Sequence, residues 1–387
     1  MIVGVTVLLI LGLEAAYRLQ ASARRGAKSV MAAAPDTLPA PPFLFLDAPW
    51  ANDYFADHSR EEEVLWRPYV YVKNPTFSGT HMAVDSLGHR VTPHAPSSSN
   101  NILQVFFLGG STTFGWYQRA EHTIPAEAAR RLQELVGDSA RVVVTNFGVP
   151  GQTFTQEIIE LMLQLREGKR PDIVVFYDGI NDVMAAIQNN QSGLPQNEAN
   201  RSADFQRGRE RAEAVRPGFR GAMLTAKRMG KDVLSRLQVA QRIVAVKTPP
   251  PFVRQPIDSL AASSVKFYVA NVELVEALAA RYGFQPIYVW QPALLSSNKP
   301  MTVREKWLRR SQPIGDLHLA VPPLLDPAMA ELHIDHFIDA TTLFDRDSLE
   351  VYTDVYGHTY ERANPRIVDT LMPMLTSAIA RLRAQRR

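Results

Sequence analysis

A doubly wound α/β fold, with a parallel sheet covered by helices on both faces, is the class this 387-residue sequence predicts. Short apolar runs recur at residues 102–108, 142–147, 173–177, 286–290 and 337–340 and read as strands. Between and after them, residues 126–136, 155–165, 263–282 and 363–382 repeat apolar side chains at helical spacing. The strand runs are continuous rather than alternating, as strands buried on both faces require.

From the amino terminus, residues 2–13 (IVGVTVLLILGL) form an unbroken apolar run directly after Met1. It is shorter than the roughly 20 residues that span a bilayer, and it suits a signal-peptide core. Ala21-Ser22-Ala23 gives a small-x-small cleavage pattern, while Arg18, Arg24, Arg25 and Lys28 follow the run and no basic residue precedes it. Residues 1–23 are therefore expected to be a signal peptide or an amino-terminal membrane anchor that places the protein in an extracytoplasmic, periplasmic setting. The alternative is a start that packs within the fold. Residues 24–42, including MAAAPDTLPAPP, read as a Pro/Ala-rich linker. Residues 43–100 hold aromatics and turn signals and are expected to pack as an extension on the edge of a domain spanning 101–387.

The strand and helix runs then alternate as the fold class demands, except over 183–262. That stretch opens Gln/Asn-rich (QNNQSGLPQNEAN), becomes basic and helical, and closes on Thr248-Pro249-Pro250-Pro251. It is expected to be an insertion or lid, with a solvated loop as the alternative. The closing helix over 363–382 tolerates Pro365 in its first turn.

Composition narrows the chemistry. At 46% hydrophobic the chain can bury a large core. The net charge is +3 and the pI near 9.0, with Lys and Arg scattered rather than gathered in a stripe, so nucleic acid is not an expected partner. With no cysteine there is no disulfide, thiolate nucleophile or Cys-ligated zinc. Serine or carboxylate chemistry stays open.

The first strand runs into "LGGSTTFG", a serine beside glycines where a doubly wound sheet binds ligands. The sequence lacks the Gly-Lys-Ser/Thr ending of a P-loop, the G-x-G-x-x-G dinucleotide turn and the G-x-S-x-G elbow. A serine nucleophile and a plain capping turn both remain. Two further polar turns follow the next strands, "NFGVPGQT" (residues 146–153) and "YDGIND" (residues 177–182). A glycine N–H and an asparagine amide there could donate to the oxyanion of an acyl-transfer intermediate. A base is offered by "YTDVYGHTYERAN", in which His358 follows Asp354 by four positions. There a carboxylate could fix the imidazole while the other ring nitrogen reaches a serine. "ELHIDHFIDA" gathers His333, Asp335, His336 and Asp339, but an extended chain would point His333 and His336 to opposite faces, so structural roles are expected rather than a metal site.

These blocks resemble the SGNH or GDSL-type hydrolases. Ser111 matches the first block, Gly151 the second, Asn181 the third, and Asp354 with His358 the last, over roughly residues 100–383. "GGSTTFGW", "GIND" and "VDSLGHR" (residues 84–90) look like a bacterial membrane-associated branch. The resemblance implies a three-layer α/β/α, flavodoxin-like fold and a catalytic triad of Ser111, His358 and Asp354. It also implies an oxyanion hole from Ser111, Gly151 and Asn181, with no metal and no cofactor. Two positions depart from the family pattern: Gly110 stands where many members carry the Asp of GDS, and D-x-x-x-H replaces the usual D-x-x-H.

The expected function is that of a serine esterase or O-deacylase acting on an acyl, foremost an acetyl, ester of a small molecule or an acylated glycan. The alternatives are an O-acyltransferase acting on an envelope or extracellular polysaccharide, and an inactive carbohydrate-binding scaffold.

Overall fold

The computed structural model describes residues 48–58, 64–214, 255–310 and 315–385. The expected leader and linker (1–42) and residues 215–254 of the expected insertion lie outside the described residues. The chain divides into two compact units, one of Ala40–Asn197 with Gln255–Arg387, the other of Met1–Pro39 with Glu198–Arg254.

In the first unit, the extension contributes helix α1 (Ala51–His58) and two hairpins, β1 (Leu65–Arg67) with β2 (Tyr71–Lys73), and β3 (Phe77–Ser78) with β4 (Ala83–Val84). The alternation then begins: β5 (Ile102–Gly109), the short α2 (Ser111–Phe114), α3 (Ile124–Val136), β6 (Arg141–Asn146), α4 (Phe154–Arg166), β7 (Ile173–Asp178) and α5 (Ile180–Asn189). Local chemistry sets the helix starts. Thr123 Oγ1 accepts from Ala126 N–H and Pro125 occupies the first turn of α3, while Thr153 and Gln156 form a capping box at α4.

The described part of the second unit is one helix, α6 (Glu198–Ala214), charged all round and carrying an Arg201–Glu198 pair at 3.0 Å. Back in the first unit follow α7 (Ile257–Tyr282), β8 (Gln285–Trp290), α8 (Val303–Arg310), α9 (Gly315–Ala320), α10 (Pro322–Glu331), β9 (Phe337–Asp339) and α11 (Asn364–Gln385).

The five long-range strands form one parallel sheet in the order β6-β5-β7-β8-β9. This is the 2-1-3-4-5 order of flavodoxin-like folds. Successive residues of β5, β7 and β8 feed opposite cores. Val105 and Phe107 of β5 with Val175 and Tyr177 of β7 pack with α3 and α11, whereas Phe106, Leu108, Val174 and Phe176 pack with α4, α7 and α10. Every residue of β7 is buried, as the middle strand of a sheet covered on both faces must be. The expected three-layer fold is therefore what the chain forms.

Two differences from expectation are informative. The "YDGIND" stretch is more than a turn: α5 starts at Ile180, and its Val183, Ala185 and Ala186 are buried. The helix expected from residue 263 starts earlier, at Ile257, because Leu260 and Ala261 already pack in the core.

Candidate active site

The order of the sheet reverses at β5, whose neighbours β6 and β7 leave on either side. Ligands bind outside the carboxyl ends of strands at such a switch point. Ser111 follows β5, Gly151 follows β6 and Asn181 follows β7. The loop after β9 brings His358 to the same place. His358 Nε2 lies 2.6 Å from Ser111 Oγ, and His358 Nδ1 lies 2.5 Å from Asp354 Oδ2. The serine is half-buried and the imidazole buried.

The histidine is held by its backbone as well as by its ring. Thr353 donates to His358 O through both N–H (2.9 Å) and Oγ1 (3.2 Å), and Tyr356 N–H donates to Asp354 Oδ1 at 2.8 Å. The extra residue of D-x-x-x-H is absorbed at Gly357, whose φ of 84° lies in the left-handed region. A Cβ there would stand 2.7 Å from Gln291 Nε2 and 3.0 Å from Pro292 O, so no larger residue fits. Trp116 stacks beside the imidazole at 6.1 Å with 21° between planes, and Tyr117 meets it edge-on at 5.9 Å. Burial pushes the Tyr117 phenol above its usual range, so it stays protonated and neutral at physiological pH.

Asn181 lies in the first turn of α5 with its amide against the nucleophile turn. A Cβ on Gly110 would stand 2.0 Å from Asn181 Nδ2. In this chain the Asn181 amide occupies the space that a side chain at 110 would need. Asn181 Oδ1 accepts from Gln196 Nε2 at 2.9 Å. Gly151, at φ 77°, joins this group through Gln196, whose Oε1 lies 3.7 Å from where a Gly151 Cβ would be. Of the five residues expected from the sequence, the structure joins Ser111, His358 and Asp354 in one hydrogen-bonded chain, sets the Asn181 amide against Gly110 and places Gly151 beside Gln196.

Several supporting residues were not legible in advance. Gln118 Nε2 donates to Thr359 O at 3.0 Å, and Asn364 Nδ2 donates back to Gln118 Oε1 at 2.8 Å, tying the serine loop to the histidine loop. Asn146 Nδ2 donates to Thr113 O at 2.9 Å, joining the end of β6 to α2. From the extension, the buried guanidinium of Arg90 donates to Gly115 O at 2.8 Å and to Gln118 O, and lies 5.0 Å from the centre of the Phe114 ring. The only advance signal was the position of Arg90 in "VDSLGHR".

Behind Asn181 sit three carboxyl groups. Burial and mutual repulsion push Glu157 and Asp178 well above the usual carboxylate range, and burial pushes Asp182 up to about 7 against hydrogen bonds from the Phe154 N–H. In the "ELHIDHFIDA" stretch, His336 is engaged by Glu276 at 2.7 Å and Asp335 at 2.9 Å. No group among the described residues has the arrangement of a metal site.

Comparison with known proteins gives the family. Residues 107–321, more than half of the chain, match the model of the GDSL-like Lipase/Acylhydrolase family. That span holds Ser111, Gly151 and Asn181 and ends before Asp354 and His358. No curated protein matches. Among solved structures, an acetyl xylan esterase, AlAXEase, is 14% identical, with 70% of this chain and 98% of that one covered and a TM-score of 0.38. A lipolytic G-D-S-L protein from Veillonella parvula DSM 2008 is 13% identical over 70% and 97%, with a TM-score of 0.38. TesA is 13% identical over 71% and 99%, with a TM-score of 0.36. By the match that spans the Ser111 turn and strands β6 to β8, the chain belongs to the GDSL-like lipase/acylhydrolase family and is an ester-hydrolysing serine hydrolase.

Proposed function

We propose that Ser111, His358 and Asp354 act as the catalytic triad of an O-deacylase, with Asn181 and Gly151 as oxyanion donors. The reading rests on one observation above all: the continuous contact from Ser111 Oγ through the imidazole to Asp354, closed across 247 residues of sequence. Ser111 Oγ attacks the acyl carbon while its proton passes to His358 Nε2. The oxyanion that forms is met by the Asn181 amide and by backbone N–H groups of Ser111 and Gly151. Collapse expels the alcohol, which takes the proton from His358. Water then repeats the sequence on the acyl-enzyme, releasing the acid and restoring Ser111. Asp354 holds the tautomer in which Nε2 is free to accept, and stabilises the imidazolium.

The acyl group is proposed to be small, foremost acetyl, and the alcohol a glycan hydroxyl. The rings of Trp116 and Tyr117 beside His358 support this, since aromatic faces suit the apolar face of a sugar. Residues 2–13 support an extracytoplasmic setting with the chain tethered or processed at its amino terminus. Among the described residues no helix is long and apolar enough to cross a membrane.

The test is release of acetate from p-nitrophenyl acetate and from O-acetylated glycans by the full-length protein, beside Ser111→Ala. The variant is expected to lose about 10⁴- to 10⁶-fold in turnover with an unchanged thermal midpoint. Retained turnover would overturn the triad. Transfer of acetyl to an added glycan in preference to water would reassign the enzyme as an acyltransferase.

A further inference from the structure

The Gln/Asn-rich segment after α5 doubles back along the helix that carries Asn181. Asn190 ends α5 with φ 51°. Asn189 Nδ2 donates to Pro195 O at 3.0 Å, and Asn197 N–H donates to Gln188 Oε1 at 3.1 Å. Both neighbours of Gln196 are therefore fastened to the last turn of α5. Gly193, at φ 80°, packs so closely on the Phe267 ring that a Cβ would stand 2.7 Å from it. The half-buried Gln196 reaches the first turn of the same helix, where its Nε2 donates to Asn181 Oδ1 at 2.9 Å.

An asparagine amide has one accepting end and one donating end, and its terminal torsion is broad and roughly two-fold. If it is turned the wrong way, an oxygen faces the oxyanion and repels it. Gln196 offers a donor to Oδ1, so Nδ2 is directed to the opposite side, into the space left by Gly110 beside Ser111.

We propose that Gln196 is a positioning residue whose side-chain amide fixes the orientation of Asn181, keeping its donating end on the acyl oxygen bound at Ser111. This rests on the reading of Asn181 as an oxyanion donor. It gives the polar segment 190–197 a catalytic purpose that its composition does not announce. The two oxyanion elements are also linked, because the same amide lies against Gly151.

Two substitutions separate orientation from space-filling. Gln196→Met keeps length and bulk without a donor, and Gln196→Glu keeps the shape but can only accept. Kinetics on p-nitrophenyl acetate with the full-length chain are expected to show kcat lowered about five- to tenfold by Gln196→Met, the worth of one neutral hydrogen bond. Gln196→Glu should lower it about a hundredfold, approaching loss of the donor, because its carboxylate draws Nδ2 away from Ser111. KM should stay unchanged in both, and in an Asn181→Ala background neither substitution should cost anything further. The side-chain amide resonance of Asn181, identified by its disappearance in Asn181→Ala, should shift in both variants. An unmoved resonance, or losses that persist without Asn181, would overturn the proposal. A shifted resonance with turnover intact in both variants and in Asn181→Ala would overturn the oxyanion reading while leaving the orientation itself in place.

Discussion

Strands β5 and β7 end on buried apolar runs packed on both faces, whereas the extension before residue 101 is held by directional polar contacts, within itself and to the loops beyond. In the extension, Asp57 accepts from the Thr80 and His81 N–H groups, and Asp85 from those of Leu87 and His89. Asn74 donates to Gly88 O at 3.1 Å, Val144 N–H donates to His94 Nε2 at 2.9 Å, and Arg90 holds the two carbonyls of the serine loop. Apolar burial is non-directional and sets where strands lie. Hydrogen bonds are directional and set how a loop is turned. The comparison teaches a division of labour: the sheet places the reacting groups, and the extension holds the loop that carries one of them.

If that division is right, a sheet-end residue outside the Ser111–His358–Asp354 chain should cost more turnover than any residue of the extension. Asn181→Ala is expected to lower kcat about 10²- to 10³-fold with little change in substrate affinity, because the amide acts on charge that develops only in the transition state. Asn181→Asp should be at least as harmful, since it sets negative charge against the oxyanion. Near-normal turnover in both would move the donor elsewhere, with the N–H groups of Gly151 and Thr112 the first to examine.

Arg90→Met sharpens the comparison from the other side. It removes the Arg90 donor from Gln118 O, while Gly115 O keeps the Gln118 N–H at 3.0 Å, so the expected cost is that of one buried group, about 1–3 kcal/mol. Denaturant unfolding should show that fall in stability, with kcat reduced less than by Asn181→Ala. A variant as stable as the parent but as inactive as Asn181→Ala would break the division, because the extension would then belong to the chemistry.

The smallest effect concerns the carboxyl behind the oxyanion turn. Asp182 is raised in the folded state to about 7, so folding favours its protonated form. Its contribution to stability is full below the ordinary carboxylate range and is lost as pH rises towards about 7. Asp182→Asn retains an acceptor for the Phe154 N–H and cannot ionise. The thermal midpoint of the variant relative to the parent should therefore climb between about pH 4 and 7 and level off above. A difference that is flat with pH would show that Asp182 ionises freely in the folded protein.

The strands could be read from the sequence because each carries its own evidence in a continuous apolar run, and the observed ends differ from the expected ones by a residue. Helices α8, α9 and α10 could not. The sequence "VREKWLRR" is mostly charged, and Pro322 and Pro323 look like a break, although prolines at a helix start cost no hydrogen bond. Ser111, His358 and Asp354 could be singled out because each stands in a short distinctive block, and the structure brings them into contact. Gln196, Gln118 and Arg90 stand in no such block. Their importance lies in partners 15 to 246 positions away, which only the fold brings to them.

The Gln118–Asn364 clasp has a consequence for the order of events during synthesis. The serine turn leaves the ribosome early, but its base and the asparagine that secures the histidine loop arrive only with the last stretch of chain. Long-range pairing of this kind forms late, after the loop-closure entropy has been overcome. A chain that stops before residue 358 carries Ser111 without the imidazole that meets its hydroxyl in the folded protein.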